Sequence, residues 1–188
     1  MKQIIGTFLF TGYLKPAPGT WGSLAALPFV WALHVLGGPW LLGVAIVIAF
    51  FAGLWATKGI TEGTDNKDPS EIVIDEVVGM WIAMLPASIG ATAAGADVLA
   101  LYPGWISAFV FFRLFDIWKP LALYPGWISA FVFFRLFDIW KPSIIGKADR
   151  RGDALGVMLD DVYAGAFAAV VTLVLAAGSH LVLMPLLS

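Results

Sequence analysis

The chain has no cysteine among its 188 residues. That excludes disulfides, a thiol nucleophile and any Cys-based metal centre. Charge is scarce as well: Asp, Glu, Lys and Arg make up 13% of the residues, against about a quarter in ordinary soluble domains. Nor does the charge lean positive. The formal net charge is −2, which argues against a nucleic-acid partner, because phosphate backbones are met by a basic footprint. The two histidines, His34 and His180, lie in apolar runs distant from the acids and read as structural. There is no Cys for a phosphocysteine, no His near an acid cluster for a phosphohistidine and no triad-like pattern of Ser beside His. The opening MKQIIGTFLFTGYLKPAPG has a thin basic end and no small-residue cleavage site, so it does not read as a signal peptide.

What is present is apolar. Sixty per cent of the residues are hydrophobic, nine of them Trp. Residues 19–36, 40–57 and 162–184 hold only neutral residues apart from the two histidines. Each run is close to the ~20 residues that cross a bilayer. The pattern predicts an all-α, polytopic helical membrane protein, with residues 1–188 forming a single membrane-embedded domain. About five helices make its core, with one further short helical segment that is a duplicate.

The duplicate is literal. Residues 99–120 and 121–142 both read LALYPGWISAFVFFRLFDIWKP. Each copy carries one Arg, one Asp and one Lys: Arg113, Asp116 and Lys119, then Arg135, Asp138 and Lys141. Repeat architectures diverge between units and need three or more of them, so two identical copies read as an insertion into an otherwise complete pattern.

Read with one copy, the chain opens on a short apolar segment (3–14) and a turn at Lys15–Pro18. Helix one is expected over Thr20–Leu36, a tight turn at Gly37-Gly38-Pro39 and helix two over Trp40–Lys58. Helix three is expected from Asp68-Pro69-Ser70-Glu71 to about Leu85, with Asp68 as N-cap, Pro69 first in the helix and Glu71 as capping-box acid. One repeat copy forms helix four, and the last helix covers Ala154–Leu183. Lys15, Lys58, Lys67, Lys141, Lys147, Arg150 and Arg151 then fall on one membrane face, which the positive-inside rule places in the cytoplasm. A second crossing by the other copy would put ~30 Å of hydrocarbon between the acids of helix three and those of the last helix. The expectation is therefore that one copy does not cross, or that paired crossings are found elsewhere. From Pro103 to Trp118 a copy rises only ~24 Å as a helix, which suits a re-entrant or interfacial placement. Copy two, which keeps its connection to the last helix, is expected to serve any site.

Acids stand at one depth on three helices: Asp75 and Glu76, Asp160 and Asp161, and the repeat acid flanked by Arg and Lys at i, i+3 and i+6. Ionisable residues at membrane depth default to function. Carboxylates suit a hard divalent cation such as Mg2+, commonly shared with substrate phosphate, while Arg and Lys hold phosphate oxygens. Each acidic pair taken alone could merely favour a helix N-terminal dipole; the joint occurrence argues for a site. Asp149 and Asp153 read as solvated partners of Arg150 and Arg151, and Glu62 and Asp65 as loop charges.

Four segments carry a family resemblance: PGTWGSL (18–24), IDEVVGMWI (74–82), FRLFDIWKP (134–142) and GVMLDDVYAG (156–165). In this order they resemble the phosphatidylglycerophosphatase A family, over nearly the whole chain outside the duplicated copy. The resemblance implies a Mg2+-dependent phosphatase of the bacterial inner membrane, multi-pass with its site facing the cytoplasm, that converts phosphatidylglycerophosphate to phosphatidylglycerol. It implies Asp75, Glu76, Asp160 and Asp161 as metal ligands or water activators, with Asp138 as ligand or base. Arg135, Lys141 and Arg150 would bind phosphate, and the Gly19–Ser23 loop, with Thr20, Gly22 and Ser23, would offer backbone N–H groups to it. A small transporter or channel would instead carry charge near the bilayer midplane, and a noncatalytic scaffold would be indifferent to loss of Asp160.

Overall fold

The computed structural model describes residues 1–64, 66, 69–93, 95, 124–141, 144–151 and 153–187. Copy one of the repeat, with Arg113, Asp116 and Lys119, lies outside the described residues, as does Asp68. Helix α1 (Lys2–Gly6) and a 3-10 turn (Thr11–Tyr13) precede α2 (Pro18–Thr61). Then come α3 (Ile74–Ala93), α4 (Tyr124–Trp140), the short α5 (Ile144–Asp149) and α6 (Ala154–Leu187). Among the described residues there is no strand. Three helices, α2, α3 and α6, are long and apolar enough to cross a membrane. This is the all-α membrane protein expected from the sequence.

α2 is two arms, not one rod. Gly38 has φ 61° and ψ −157°, a combination open essentially to glycine alone, and Pro39 follows it. Gly22 packs against Val73, and Gly53 packs against Ile74, the next residue along. In a straight helix those two glycines would stand ~46 Å apart, so the arms fold back on each other at Gly38. This is the expected helix–turn–helix at Gly37-Gly38-Pro39. His34 Nδ1 and Ser88 Oγ meet at 2.6 Å in a buried pair near the tip of that hairpin, which gives His34 the structural place predicted for it.

α3 departs from expectation at both ends. It begins at Ile74, not at Asp68, and runs through Pro86 to Ala93. The reason lies in the preceding backbone. The Ile72 N–H bonds back to the Pro69 carbonyl (2.9 Å) and the Val73 N–H donates to the Gly6 carbonyl at the end of α1 (2.9 Å). Residues 69–73 thus form a turn tied to the N-terminal segment, and Glu71 stands outside the helix it was expected to cap. Asp75 and Glu76 consequently occupy the first turn of α3. Pro86 is tolerated as prolines are in membrane helices, where neighbours satisfy the freed carbonyl.

α4 is copy two of the repeat. Its 17 residues rise ~26 Å, short of the ~30 Å hydrocarbon thickness, and its charged C-terminal end lines the same cavity as the first turn of α3. α6 starts on a cap: the Gly156 N–H donates to Asp153 Oδ1 at 2.8 Å, and Arg151 pairs with the same carboxylate at 3.1 Å. Those two contacts hold the Asp153 carboxyl below its ordinary range, the Arg151 bond being the larger cause.

The core is α3 wrapped by α2, α4 and α6, with Val77, Val78, Met80, Met84, Phe134 and Met158 wholly buried. The tightest contact between the long helices is where α3 crosses α6. A Cβ at Gly165 would collide with the backbone of Gly79, and one at Gly79 would strike the Phe134 ring and the Asp161 carbonyl. Only hydrogen on both sides lets the helices meet at backbone distance, as small residues do throughout membrane helix packing. Gly79→Ala should destabilise the fold by about 1–3 kcal/mol, the usual range for overpacking. Gly43→Ala, whose new methyl meets nothing within 4 Å, should leave thermal unfolding in detergent unchanged or later. Equal melting shifts in the two variants would refute the crossing as the tight point.

Candidate active site

Five segments converge at the end of the bundle that carries the basic loops. They enclose a cavity of about 290 Å3, lined by Ala17, Pro18 and Gly19 from the start of α2 and by Ser70 and Ile72 from the turn before α3. Asp75 and Glu76 come from the first turn of α3, Arg135, Asp138 and Lys141 from the end of α4, and Val157, Asp160 and Asp161 from the second turn of α6. Spacing explains the convergence. Gly79 lies one turn beyond Asp75, and Gly165 one turn beyond Asp161, so the glycine crossing brings both acidic pairs together one turn away.

The five carboxylates do not play one part. Oxygens of Asp75, Glu76 and Asp161 all lie within 4.8 Å of one another. Glu76 Oε2 and Asp161 Oδ1 are buried with no hydrogen-bond partner among the described residues. Asp138 is instead ion-paired to Arg135 at 2.6 Å, and Asp160 to Lys141 at 2.8 Å. Coulomb repulsion still links Asp138 and Asp75 to Asp161, so all five belong to one electrostatic unit. Five carboxylates face two cations in the cavity lining, a formal excess of three negative charges. Buried like charges at this spacing need protons or a cation to persist. An all-oxygen set with orphaned carboxylate oxygens is what Mg2+ prefers.

The segment expected to be a loop at Gly19–Ser23 is the first turn of α2, with Pro18 at its start. Only Gly19 of those residues lines the cavity. Thr20 and Gly22 face elsewhere, Gly22 being packed on Val73. Ser23 touches the site through a long 3.5 Å contact to Arg135, while its hydroxyl donates to the Gly19 carbonyl at 2.8 Å. Arg150 is exposed after α5 and does not line the cavity. The sequence reading missed two features. Lys141 and Asp160 are partners, and Gly19 lies directly beneath Glu76, so that a Cβ there would land on the Glu76 carboxylate. A glycine right after the Pro that starts a helix was the available sign of the second.

A helical membrane bundle with a carboxylate cluster and flanking cations at one end defines a membrane protein with a candidate cation and anion site. Comparison with known proteins makes that specific. The family model described as phosphatidylglycerophosphatase A matches residues 4–124 and 121–176, and the chain belongs to that family. Its two matched ranges meet inside the duplicated region. A phosphatidylglycerophosphatase A of Haemophilus influenzae is 30% identical over 162 residues, 86% of this chain and 80% of the relative. One from Escherichia coli is 32% identical over 114 residues, 59% of each chain. A Bacteroides thetaiotaomicron protein, provisionally named a phosphatidylinositol-3-phosphatase, is 33% identical over 172 residues, 89% of this chain and 88% of the relative. No solved structure matches the fold.

Gly19→Ala gives a sharp test of the site. Alanine is the better helix former, and the displaced group is the end of a flexible side chain, so the melting temperature should hold. Phosphatase activity should fall about tenfold or more as the Glu76 carboxylate is pushed aside. Full activity at unchanged stability would remove Glu76 from the site.

Proposed function

We propose that the cavity hydrolyses the terminal phosphate of phosphatidylglycerophosphate to leave phosphatidylglycerol, with Mg2+, at the cytoplasmic face of the bacterial inner membrane. The observation that carries this reading is the group Asp75, Glu76 and Asp161, gathered within 4.8 Å beside Arg135 and Lys141 at the end of membrane-crossing helices. The names of the Escherichia coli and Haemophilus influenzae relatives support the substrate. Exposed Lys15, Lys58, Lys147, Arg150 and Arg151 on the cavity side support the cytoplasmic orientation.

Asp75, Glu76 and Asp161 would hold the divalent cation. When bound it supplies Lewis acidity and a water of lowered pKa. The chain's own groups do the rest. The phosphate displaces Asp138 from Arg135, whose guanidinium fork suits phosphate oxygens. Asp138, released from its partner, takes a proton from the attacking water as the water oxygen bonds to phosphorus. The phosphorus–oxygen ester bond breaks, the glycerol oxygen collects a proton from solvent water, Asp138 later gives its proton back to solvent, and inorganic phosphate leaves while the lipid alcohol stays in the bilayer. The cavity's polar lining and position at the bundle end suit a headgroup whose acyl chains never leave the membrane.

EDTA should abolish turnover of phosphatidylglycerophosphate in detergent micelles, and added Mg2+ should restore it; chelator-insensitive turnover would sink the metal. Phosphatidylinositol-3-phosphate, the substrate in the Bacteroides relative's name, serves as the competing lipid, and faster turnover of it would overturn the substrate assignment. Asp138→Asn should lose about 10²-fold or more in rate, the usual weight of a general base, with Asp116→Asn near wild type. Loss in the second variant alone would hand the site to the other copy.

A further inference from the structure

We propose that the two adjacent acids of α6 have separate duties: Asp161 faces the cation, whereas Asp160 is a positioning residue that aims the Lys141 ammonium at the phosphate. This rests on the phosphatase reading above and divides its site in a way that reading does not.

Three observations carry it. First, Asp160 is engaged on both oxygens by the protein. Oδ2 accepts from Lys141 Nζ at 2.8 Å, and Oδ1 accepts from the Asp161 N–H at 3.0 Å. Asp161 Oδ1, by contrast, is buried without a hydrogen-bond partner among the described residues, and Asp161, not Asp160, joins Asp75 and Glu76 in the 4.8 Å group.

Second, Lys141 keeps an unfavourable backbone. Its φ is 45°, in the left-handed region that residues with a Cβ avoid. Its N–H closes the last turn of α4 onto the Phe137 carbonyl at 2.8 Å, the helix-ending position where glycine is the usual occupant. A glycine would end the helix with less strain. A strained residue held in place beside a cavity points to the side chain as the reason.

Third, the pair is built from unequal halves. The Asp160 side chain is 9% exposed and the Lys141 side chain 31%. A fixed, buried carboxylate therefore holds a flexible ammonium that reaches in from the helix end. An ammonium has three donors, so Lys141 can keep one on Asp160 and present others to a phosphate. Without Asp160, the four-carbon stem loses this buried anchor.

The test is a double-mutant cycle in the full-length protein, read by two independent signals. One is the melting shift produced by Mg2+ or Mn2+, with no substrate present. The other is KM and kcat for the lipid phosphate. Asp161→Asn should abolish the cation-induced melting shift. Asp160→Asn and Lys141→Ala should keep it, and each should raise KM about tenfold or more. The double variant should be no worse than either single, because partners in one interaction do not add. Lys141→Gly should melt later than Lys141→Ala, which lacks the ammonium equally but keeps a Cβ at φ 45°, while both share the KM defect; a merely structural lysine would leave KM unchanged in both. Loss of the cation shift in Asp160→Asn would make Asp160 a ligand and overturn the proposal, as would additive KM effects or a wild-type KM in Lys141→Ala. Should Asp160→Asn fail to fold, the two Lys141 variants decide alone. A wild-type protein with no cation shift would sink the metal reading instead, while the KM cycle would still judge the Asp160–Lys141 pair.

Discussion

Two hydrogens in place of two side chains, at Gly79 and Gly165, are the constraint on which the rest of the molecule depends. In lipid there is no hydrophobic drive to press one apolar helix onto another, so association falls to close packing. Glycine supplies it by letting backbones touch. Because each glycine sits one helical turn from an acidic pair, the same contact that packs α3 on α6 also fixes the separation of Asp75 and Glu76 from Asp161. Phe134 fills the space beside the crossing and carries α4 into register, which brings Arg135 and Asp138 to the same level. Packing and chemistry are set by one contact and cannot be tuned separately.

That arrangement forces like charges together where the dielectric is low. Repulsion among buried carboxylates would spread the helix ends if nothing offset it. The fold answers in two ways. α4 brings Arg135 and Lys141, each clasped by one acid, which neutralises Asp138 and Asp160 locally. Of the three remaining acids, Glu76 and Asp161 each keep a buried oxygen with no hydrogen-bond partner among the described residues, an arrangement that makes sense for a cation site and little sense for a purely structural network. Lys141 also stands just past the last turn of α4, where the helix dipole favours positive charge.

Much of this was legible in the sequence, and the reasons are physical. Apolar run length marked the spans, and Gly37-Gly38-Pro39 marked the hairpin, because Gly38 takes a backbone conformation open essentially to glycine. Acids at membrane depth gave the cluster, because burial without function is too costly. What escaped was set by tertiary contacts. The start of α3 moved from Asp68 to Ile74 because Val73 bonds to Gly6, sixty-seven residues away in sequence, and no local capping signal reports such a partner. The first turn of α2 read as a loop because PGTWGS mixes turn-forming residues with a helix start. The reading placed Asp160 and Asp161 together as equivalent acids. Adjacent helix positions point about 100° apart, and the structure sends one to Lys141 and the other to Asp75 and Glu76.

The hairpin of α2 also bears on how the chain enters a membrane in the first place. Its turn is too short to loop through water between two independent crossings, so both arms must be inserted as a single object. The part that must be carried through the hydrocarbon is the tip, residues 34–40, which contains no Asp, Glu, Lys or Arg. Its one polar ring, His34, becomes enclosed against Ser88 once α3 arrives. All the formal charge of the hairpin stays at the side from which it entered. Biogenesis thus meets almost no electrostatic barrier at this step, and the charged end that remains behind is the one around which the acidic cavity is later assembled.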